Sequence, residues 1–156
     1  MTFVGTDTPP RRRSDWADLG RTAVQLLAER EKAYPAMVKD GRLEQALADQ
    51  RIRTMRAIVA LWRVVLEGGD LPEPSAFGDR FGASWQEMLE DADRAAGRAR
   101  DLAGRKRGDR DAAVQAELVT ALAWQHQPVC GSAGPHIWLS YEYARWEKCR
   151  ETERPH

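Results

Sequence analysis

The chain lacks a long apolar run, a net charge and more than two cysteines, and each absence excludes a class of protein. No segment approaches the ~20 consecutive apolar residues that span a bilayer, so no membrane association is predicted. The 24 basic and 24 acidic residues cancel, which argues against a general nucleic-acid binder and an acidic DNA mimic. Two cysteines do not form a disulfide framework. The N-terminal stretch MTFVGTDTPPRRRSD lacks the layout of a signal peptide, so a cytoplasmic protein is predicted.

Three regions are predicted along the 156 residues, a length that suits one domain with a hydrophobic core. Residues 1–13 contain Pro9 and Pro10 followed by three arginines and have little to bury, which predicts a disordered basic tail. Residues 14–150 are predicted to form a single helical domain. Residues 151–156 are predicted to be a flexible C-terminus.

Two long amphipathic helices are predicted in the first half of the chain. Ser14 can cap the first helix, Pro35 breaks or kinks it, and Gly41 marks a turn after it. The second helix is indicated by apolar residues that step 4-3-4-3-4: Ala48, Ile52, Met55, Val59, Trp62 and Leu66. Because residues 58–66 are apolar on most sides, we expect them in the core or in an oligomer interface. Joined by a short turn, the two helices predict an antiparallel helical hairpin.

A Gly/Pro-rich connection follows over residues 68–83, GGDLPEPSAFGDRFGA. Loops longer than ~12 residues are often functional or disordered. Phe77 and Phe81 lie four residues apart in this connection, which fits one helical turn that plugs the core. The alternative is an exposed aromatic pair that meets a partner.

Two further helices are predicted after this connection. Ser84 and Glu87 form a capping box that opens the first of them. Its acidic start and arginine-rich end complement the helix dipole. A basic loop at residues 104–110 leads to the next helix, which is expected over about residues 111–125.

The last element, residues 137–150, carries two conflicting signals. Ile137, Leu139, Tyr141 and Tyr143 alternate with a period of two, which is a strand pattern. Pro135 and the charged residues of the second half favour a helix. No other segment offers a convincing strand partner, so a helix is predicted. The fold class is therefore all-α, with four to five helices built on the antiparallel hairpin and closed by an aromatic C-terminal element.

Residues 29–58 combine a helix, a Tyr-Pro pair, a glycine turn and a second helix. The pattern is carried by Tyr34, Pro35, Val38, Gly41, Arg42, Ala48, Arg51, Met55 and Ile58. This segment resembles small uncharacterised helical proteins of phages and prophages in proteobacteria. The resemblance covers about a fifth of the chain and implies an origin in a mobile element. It implies no catalytic residue.

Both cysteines and all three histidines fall in residues 124–156, which raises the question of a metal site. With the spacing H-x3-C-x5-H-x12-C, the ligand set would be His126, Cys130, His136 and Cys149. Zinc takes four such ligands in a tetrahedron, but only one pair has the close spacing of a zinc knuckle. The alternative is ordinary histidines in a loop beside a buried cysteine. No metal and no cofactor is therefore predicted.

The same region offers a case for covalent catalysis. Cys130 lies near His126 and His136 in sequence, and a thiolate needs such a base or a helix N-terminus to lower its pKa. No orienting acid is evident apart from Glu142. The GSAG turn after Cys130 is too short for a phosphate loop. The chain is therefore predicted not to be an enzyme.

Arginine-rich segments raise the alternative of nucleic-acid binding. They are the tail triplet at residues 11–13, the arginines of the second helix and the basic loop around residues 105–107. Phosphate contacts need clustered Arg or Lys, and Trp138, Tyr141 and Trp146 could stack on bases. Aromatic residues at such spacing are more often part of a core. Nucleic acid is therefore an alternative partner and not the favoured one.

Binding to a protein is the favoured interpretation. Trp, Tyr and Arg dominate binding hot spots, and the spacing of the first two helices offers a face for a homodimer. With the resemblance, this predicts a non-enzymatic phage or prophage accessory protein that binds a host or phage protein. An anti-CRISPR type inhibitor of a host defence system is one version, and a virion assembly component is another. The predicted contact residues are Arg51, Arg53, Arg56, Phe77, Phe81, Arg105, Lys106, Arg107, Trp138, Tyr141 and Trp146.

Overall fold

The structure, a computed structural model of the chain, describes residues 9–129 and 134–153. These two ranges contain six α-helices, which are α1 (Trp16–Lys39), α2 (Gln45–Glu67), α3 (Phe77–Phe81), α4 (Trp85–Arg105), α5 (Arg110–His126) and α6 (His136–Glu153). A short 3-10 turn, Pro74–Ala76, leads into α3.

The all-α class is confirmed, and residues 137–150 are helical. Across the two described ranges there is no strand, and the one β-type contact is an isolated bridge between Pro128 and Pro135. No helix in these ranges is long and apolar enough to cross a membrane.

The predicted number of four to five helices is wrong, because the connection at residues 68–83 contains a helix of its own. Phe77 is fully buried, and the ring of Phe81 lies edge-on to it with 5.6 Å between the ring centroids. Burial of these rings stabilises a five-residue helix that would not persist alone. Gly82 ends the helix with a φ of +97°, the left-handed conformation that glycine adopts without strain. One helical turn therefore plugs the core.

Pro35 was predicted to break or kink the first helix, but it does not end the helix. α1 runs on to Lys39 with Pro35 inside it. Proline has no N–H, so the carbonyl of Glu31, four residues earlier, loses its helical hydrogen bond. Both residues are exposed, and water can satisfy the freed carbonyl. The exposed position of Pro35 explains why the helix continues for another turn.

The main core surrounds the second half of α2. The large side chains of α2 that are fully buried in this core are Met55, Ile58, Leu61 and Trp62. Every other helix contributes a buried residue to the same cluster: Leu19 of α1, Phe77 of α3, Met88 of α4, Leu122 of α5 and Ile137 of α6. Of residues 58–66, which were expected in the core or in an oligomer interface, five lie in the core: Ile58, Val59, Leu61, Trp62 and Val65. Leu66, at the end of the segment, is 49% exposed.

Close contacts at both ends fix how α1 lies on α2. A Cβ atom built on Gly20 would be 2.6 Å from Cδ1 of Leu66, so glycine permits the two helices to approach closely there. Near the other end, Nη1 of Arg30 donates to the carbonyl of Arg51 at 2.9 Å. Since a residue early in α1 meets one late in α2, and a later α1 residue meets an earlier α2 residue, the helices run antiparallel.

α4 begins with the predicted capping box and then packs through small side chains. The Ser84 hydroxyl accepts from the backbone N–H of Glu87, and the Glu87 carboxylate accepts from the backbone N–H of Ser84, both at 3.1 Å. The capping box is therefore confirmed. The contact of α4 with α5 is a cluster of Ala92, Ala95, Ala96, Val119 and Ala123.

A buried ion pair ties α1 to α4. The Arg30 guanidinium donates to both carboxylate oxygens of Asp91, at 2.9 and 2.5 Å, and the two side chains are 11% and 4% exposed. Burial works against the charged guanidinium, but the hydrogen bonds and charge of Asp91 outweigh it and raise the pKa of Arg30. The bidentate geometry compensates both charges inside the protein.

Candidate functional site

α6 carries large apolar side chains on two opposite faces. Ile137 and Tyr141 are 0% and 3% exposed and belong to the main core. Leu139 and Tyr143 each come two residues later, and two residues turn an α-helix by about 200°. They lie on the opposite face and are 37% and 58% exposed. The alternation that imitates a strand is therefore produced by the two faces of one helix.

Polar contacts join the inner face of α6 to the segment that follows α2. The Tyr141 hydroxyl donates to the carbonyl of Gly69 at 2.5 Å. Arg145 donates to the same carbonyl at 3.2 Å and to the Asp70 carboxylate at 2.5 Å. Burial raises the pKa of Tyr141, so its hydroxyl stays protonated as a donor. The ring of Trp16 in α1 completes this attachment, 6.2 Å from the Tyr141 ring between centroids.

Four side chains form a row along the outer face, called here the outer stripe: Leu139, Tyr143, Trp146 and Arg150. Residues three and four apart are neighbours on a helix surface, so the four lie in one line. Trp146 is 55% exposed, and its ring centroid lies 6.0 Å from that of Tyr143. The Arg150 guanidinium sits 5.4 Å from the centre of the Trp146 ring, a cation–π distance.

Charged groups border the outer stripe. The Tyr143 hydroxyl donates to the Glu147 carboxylate at 2.9 Å. This hydrogen bond and the negative charge of Glu147 raise the pKa of Tyr143. The stripe thus has an apolar centre, a carboxylate beside it and the Arg150 cation at its C-terminal end. Such an arrangement can bury apolar area against a partner and place one charged contact at the edge.

His126, the first residue of the predicted metal set, lies in the core. Its side chain is 0% exposed, and Nε2 accepts a hydrogen bond from the indole N–H of Trp62 at 3.0 Å. Burial lowers the pKa of His126 to about 4, so the ring is neutral at pH 7 and carries its proton on Nδ1. That Nδ1 has no hydrogen-bond partner among residues 9–129 and 134–153. His126 is therefore a core histidine at the end of α5, rather than a loop histidine as the alternative to a metal site had it.

The two other described members of that set, His136 and Cys149, have different surroundings. Nδ1 of His136 lies 3.1 Å from the carbonyl of Trp124, and the two rings stack with 4.0 Å between centroids. Burial lowers the pKa of His136. Cys149 is exposed with a free thiol, and Cys130 lies outside the described residues. Within the part of the chain that the structure describes, no three His, Cys, Asp or Glu side chains are placed to hold a metal ion.

The predicted contact arginines of α2 have unequal surroundings. Arg51 is half-buried. Arg53 donates to the carbonyl of Gly82 at 2.5 Å and to the Glu87 carboxylate at 2.6 Å. The hydrogen bond from Arg53 lowers the pKa of Glu87. Both contacts bind Arg53 to the start of α4. Arg56 is exposed and pairs with no carboxylate of the described residues, so its charge is open to solvent.

The basic segments of the nucleic-acid alternative differ in how far their charges are already paired. Arg105, Lys106 and Arg107 are exposed where α4 ends. In the tail, Arg12 and Arg11 both donate to the carboxylate of Glu117 in α5, at 2.8 and 3.2 Å. Two of the three tail arginines are therefore engaged within the chain, whereas the residues after α4 remain open to solvent.

Most of the predicted aromatic contact residues belong to the core. Phe77 and Tyr141 are buried, and Phe81 and Trp138 are partly buried against the main cluster. Trp146 is the one of these five that is exposed. A partner that meets the folded chain can therefore reach Trp146 but not Phe77 or Tyr141.

Sequence reasoning missed three members of the outer stripe: Leu139, Tyr143 and Arg150. The signal was present, because the steps from residue 139 through 143 and 146 to 150 follow the 4-3-4 spacing of one helix face. It was hidden by the inner residues 137 and 141, which interleave with the outer ones in sequence.

No family model matches the chain, and no curated protein or solved structure matches it.

Proposed function

We propose that the protein is a non-enzymatic binding module whose outer stripe inserts into an apolar groove on a partner protein. The observation that carries the proposal is that α6 is apolar on two faces and covered on one. A helix with apolar residues on nearly all sides is normally buried. Full burial of one large apolar side chain stabilises by about 1.5–3 kcal/mol, so Leu139, Tyr143 and Trp146 supply a driving force for association.

The spacing of the outer stripe supports a groove as the shape of the partner site. Helices that bind in grooves do so through anchors at positions i, i+4 and i+7, which are residues 139, 143 and 146 here. Tyr and Trp are also the side chains that most often dominate binding energy. Their rings are already arranged side by side, so little side-chain entropy is lost when they are covered.

The charges of the stripe support an acidic rim on the partner. Arg150 is exposed and lies over the Trp146 ring rather than in an ion pair with a described carboxylate. A carboxylate at the end of the groove would meet this guanidinium while the apolar anchors fill the centre. The phage-like residues 29–58 support a host or phage protein as the partner, with a component of a host defence system as one such protein.

The test compares three forms of the protein in affinity capture from a lysate of the encoding organism. They are the wild type, the double variant Tyr143→Ala/Trp146→Ala, and Val24→Ala as a matched control, since Val24 is 52% exposed on α1. The captured protein is then purified and its Kd measured by calorimetry. We expect the double variant to bind at least tenfold more weakly, in keeping with the ~2 kcal/mol of a hot-spot residue, and the control to bind as the wild type does.

Two results would contradict the proposal. If a captured protein binds all three forms equally, its interface lies elsewhere on the molecule. If the wild type self-associates in sedimentation and the double variant does not, the stripe is covered by a second copy rather than by a groove on another protein.

A further inference from the structure

A cavity of about 330 Å³ lies between the N-terminal tail and the helices α4 and α5. Its lining residues are Pro10, Arg11 and Arg12 of the tail, Arg100 of α4, and Ala116, Glu117 and Thr120 of α5. Small-molecule sites typically have volumes of about 300–1,000 Å³, so the cavity has room for a small ligand. None of its lining residues belongs to α6, which separates it from the outer stripe.

The tail can form a wall of this cavity because it is bound to α5 at two points. The side-chain amide of Gln125, a residue that is only 2% exposed, donates to the carbonyl of Arg13 at 2.6 Å. Further along the tail, Arg12 and Arg11 donate to the carboxylate of Glu117 at 2.8 and 3.2 Å. These contacts hold the guanidinium groups of two tail arginines beside α5.

Positive charge exceeds negative charge among the lining residues. The three guanidinium groups of Arg11, Arg12 and Arg100 are accompanied by one carboxylate, that of Glu117, so two positive charges are left uncompensated. Asp93 of α4 also interacts electrostatically with Arg100, but it does not line the cavity. The cavity therefore favours an anion.

Several hydrogen-bond donors in the cavity have unused capacity. Arginine has five N–H groups, and Arg100 uses its Nη1 to donate to the Thr120 hydroxyl at 3.3 Å. Because that hydroxyl accepts from Arg100, its own proton can be donated to a ligand. Among the described residues, Arg12 donates only through Nε, so its two Nη groups can contact a second anion. Guanidinium groups commonly bind phosphate through two parallel hydrogen bonds.

We propose that this cavity binds a small molecule that carries a phosphate monoester group. Such a group carries a charge of about −1.5 to −2 at pH 7, which matches the two uncompensated positive charges, whereas a carboxylate carries only one. Arg12 and Arg100 hold the phosphate oxygens from the tail and from α4, and Thr120 donates a further hydrogen bond. Pro10 and Ala116 supply an apolar wall for the body of the ligand.

A pair of matched probes tests the class of ligand. Phenyl phosphate and benzoate share one aromatic ring and differ in the charge of their anionic group. Each is titrated into the full-length protein by calorimetry at constant ionic strength. We expect phenyl phosphate to bind saturably at one site per chain and benzoate to bind at least tenfold more weakly. No saturable binding of phenyl phosphate, or equal affinity for benzoate, would overturn the proposal.

A pair of matched variants tests the location of the site. Arg100→Gln removes a lining guanidinium, and Arg98→Gln removes the same charge from an exposed residue of the same helix that does not line the cavity. Two residues turn a helix by about 200°, so the control lies on the opposite side of α4. We expect Arg100→Gln to weaken binding of phenyl phosphate at least tenfold, as loss of a charge-assisted hydrogen bond does. The control should bind as the wild type does, and an equal loss in both variants would contradict the site.

Limited trypsin digestion tests the part that the tail plays. Trypsin cleaves after arginine, and a ligand that joins Arg12 to Arg100 holds the tail against the helices and slows its cleavage. We expect saturating phenyl phosphate to slow cleavage after residues 11–13 at least threefold in the wild type but not in Arg100→Gln. Cleavage in the basic loop at residues 104–110 is the internal control and should not change. Equal cleavage of the tail with and without the probe would show that the tail is not part of the site.

A labelled single-stranded oligonucleotide distinguishes a small ligand from a nucleic acid. Each backbone phosphate of a nucleic acid carries one negative charge, so we expect no saturable binding of the oligonucleotide at about 0.15 M salt. Suppose instead that it binds more tightly than phenyl phosphate, and that Arg105→Gln/Arg107→Gln weakens it as much as Arg100→Gln does. The cavity would then be one part of a nucleic-acid interface, and the proposal of a small-molecule site would be wrong.

Discussion

α2 and α6 both carry large apolar side chains on more than one face, but the fold covers them differently. In α2, Val59 and Leu61 are two residues apart, which turns an α-helix by about 200°, and they are 8% and 0% exposed. In α6, Ile137 is 0% exposed while Trp146 is 55% exposed. The same kind of sequence therefore gives a central helix in one case and an outer helix with a free apolar face in the other.

The difference lies in what surrounds each helix. Buried residues of all five other helices join α2 in the main cluster, whereas α6 is attached along one side through Tyr141 and Arg145. Substitutions on α2 should therefore change stability. Substitutions on the outer face of α6 should change association with a partner and leave stability nearly unchanged. Substitutions on its inner face should lower stability, but by less than those on α2.

The largest effect is expected for Trp62→Ala in α2. This change leaves a cavity in the core and removes the indole N–H that His126 accepts from. Truncation of a buried Trp typically costs about 3–5 kcal/mol, so the free energy of unfolding should fall by about that amount in urea denaturation. A loss below about 1 kcal/mol would be typical of a surface site. It would contradict the conclusion that α2 is more central to the fold than α6.

A second large effect is expected from pH, through His126. Its pKa falls from 6.5 to about 4 in the folded protein because it is buried. Above pH 6.5 the ring is neutral in both states. As pH falls from 6.5 towards 4, the unfolded chain takes up the proton first, so folding loses stability. Over this window the loss is about 3 kcal/mol, from ~1.4 kcal/mol per pKa unit.

His126→Gln is the control for this pH dependence. Glutamine does not titrate and its side-chain oxygen can still accept from the Trp62 indole. The difference in unfolding free energy between the two proteins, measured at several pH values from 7 to 4, isolates His126 from His136, whose pKa is also lowered by burial. If the difference stays constant with pH, His126 is not held neutral by the fold.

The sequence predicted α2 and the start of α4 well because both depend on local patterns. The 4-3-4-3-4 spacing of apolar residues in α2 marks one apolar face of a helix. The capping box needs only Ser84 and Glu87. The single turn at Phe77 and Phe81 was one of two interpretations of that connection, because five residues with glycine beside them have no helical periodicity, and the helix depends on Phe77 being buried by distant residues. Local sequence patterns therefore predict the long helices, but they do not decide between a short helix and a loop.

The candidate sites were less accessible to sequence reasoning. In α6, residues 137 and 141 interleave with 139 and 143, so the two faces merge into a strand-like alternation. The pairing of Trp62 with His126 joins residues 64 apart. Without that tertiary arrangement, an inner aromatic residue such as Tyr141 cannot be told from an outer one such as Trp146.

A moderate effect is expected for Tyr141→Phe on the inner face of α6. The ring remains in the core, but the hydrogen bond from the hydroxyl to the Gly69 carbonyl is lost. Arg145 still donates to that carbonyl, so the acceptor is not left unpaired. The expected loss is about 1 kcal/mol, the net value of one hydrogen bond, measured by urea denaturation. A loss near that of Trp62→Ala would mean that α6 is as central to the fold as α2.

The smallest effect on stability is expected on the outer face, for Tyr143→Ala and Trp146→Ala. Each removes an exposed ring whose contacts are with the other ring and with one charged side chain of the same helix, Glu147 for Tyr143 and Arg150 for Trp146. Alanine is also the best helix former. The unfolding free energy should change by no more than about 0.5 kcal/mol for each variant. Amide hydrogen exchange should also show α6 protected as in the wild type. A loss comparable to that of Tyr141→Phe would mean that the rings hold α6 in place, and the outer face would then serve the fold rather than a partner.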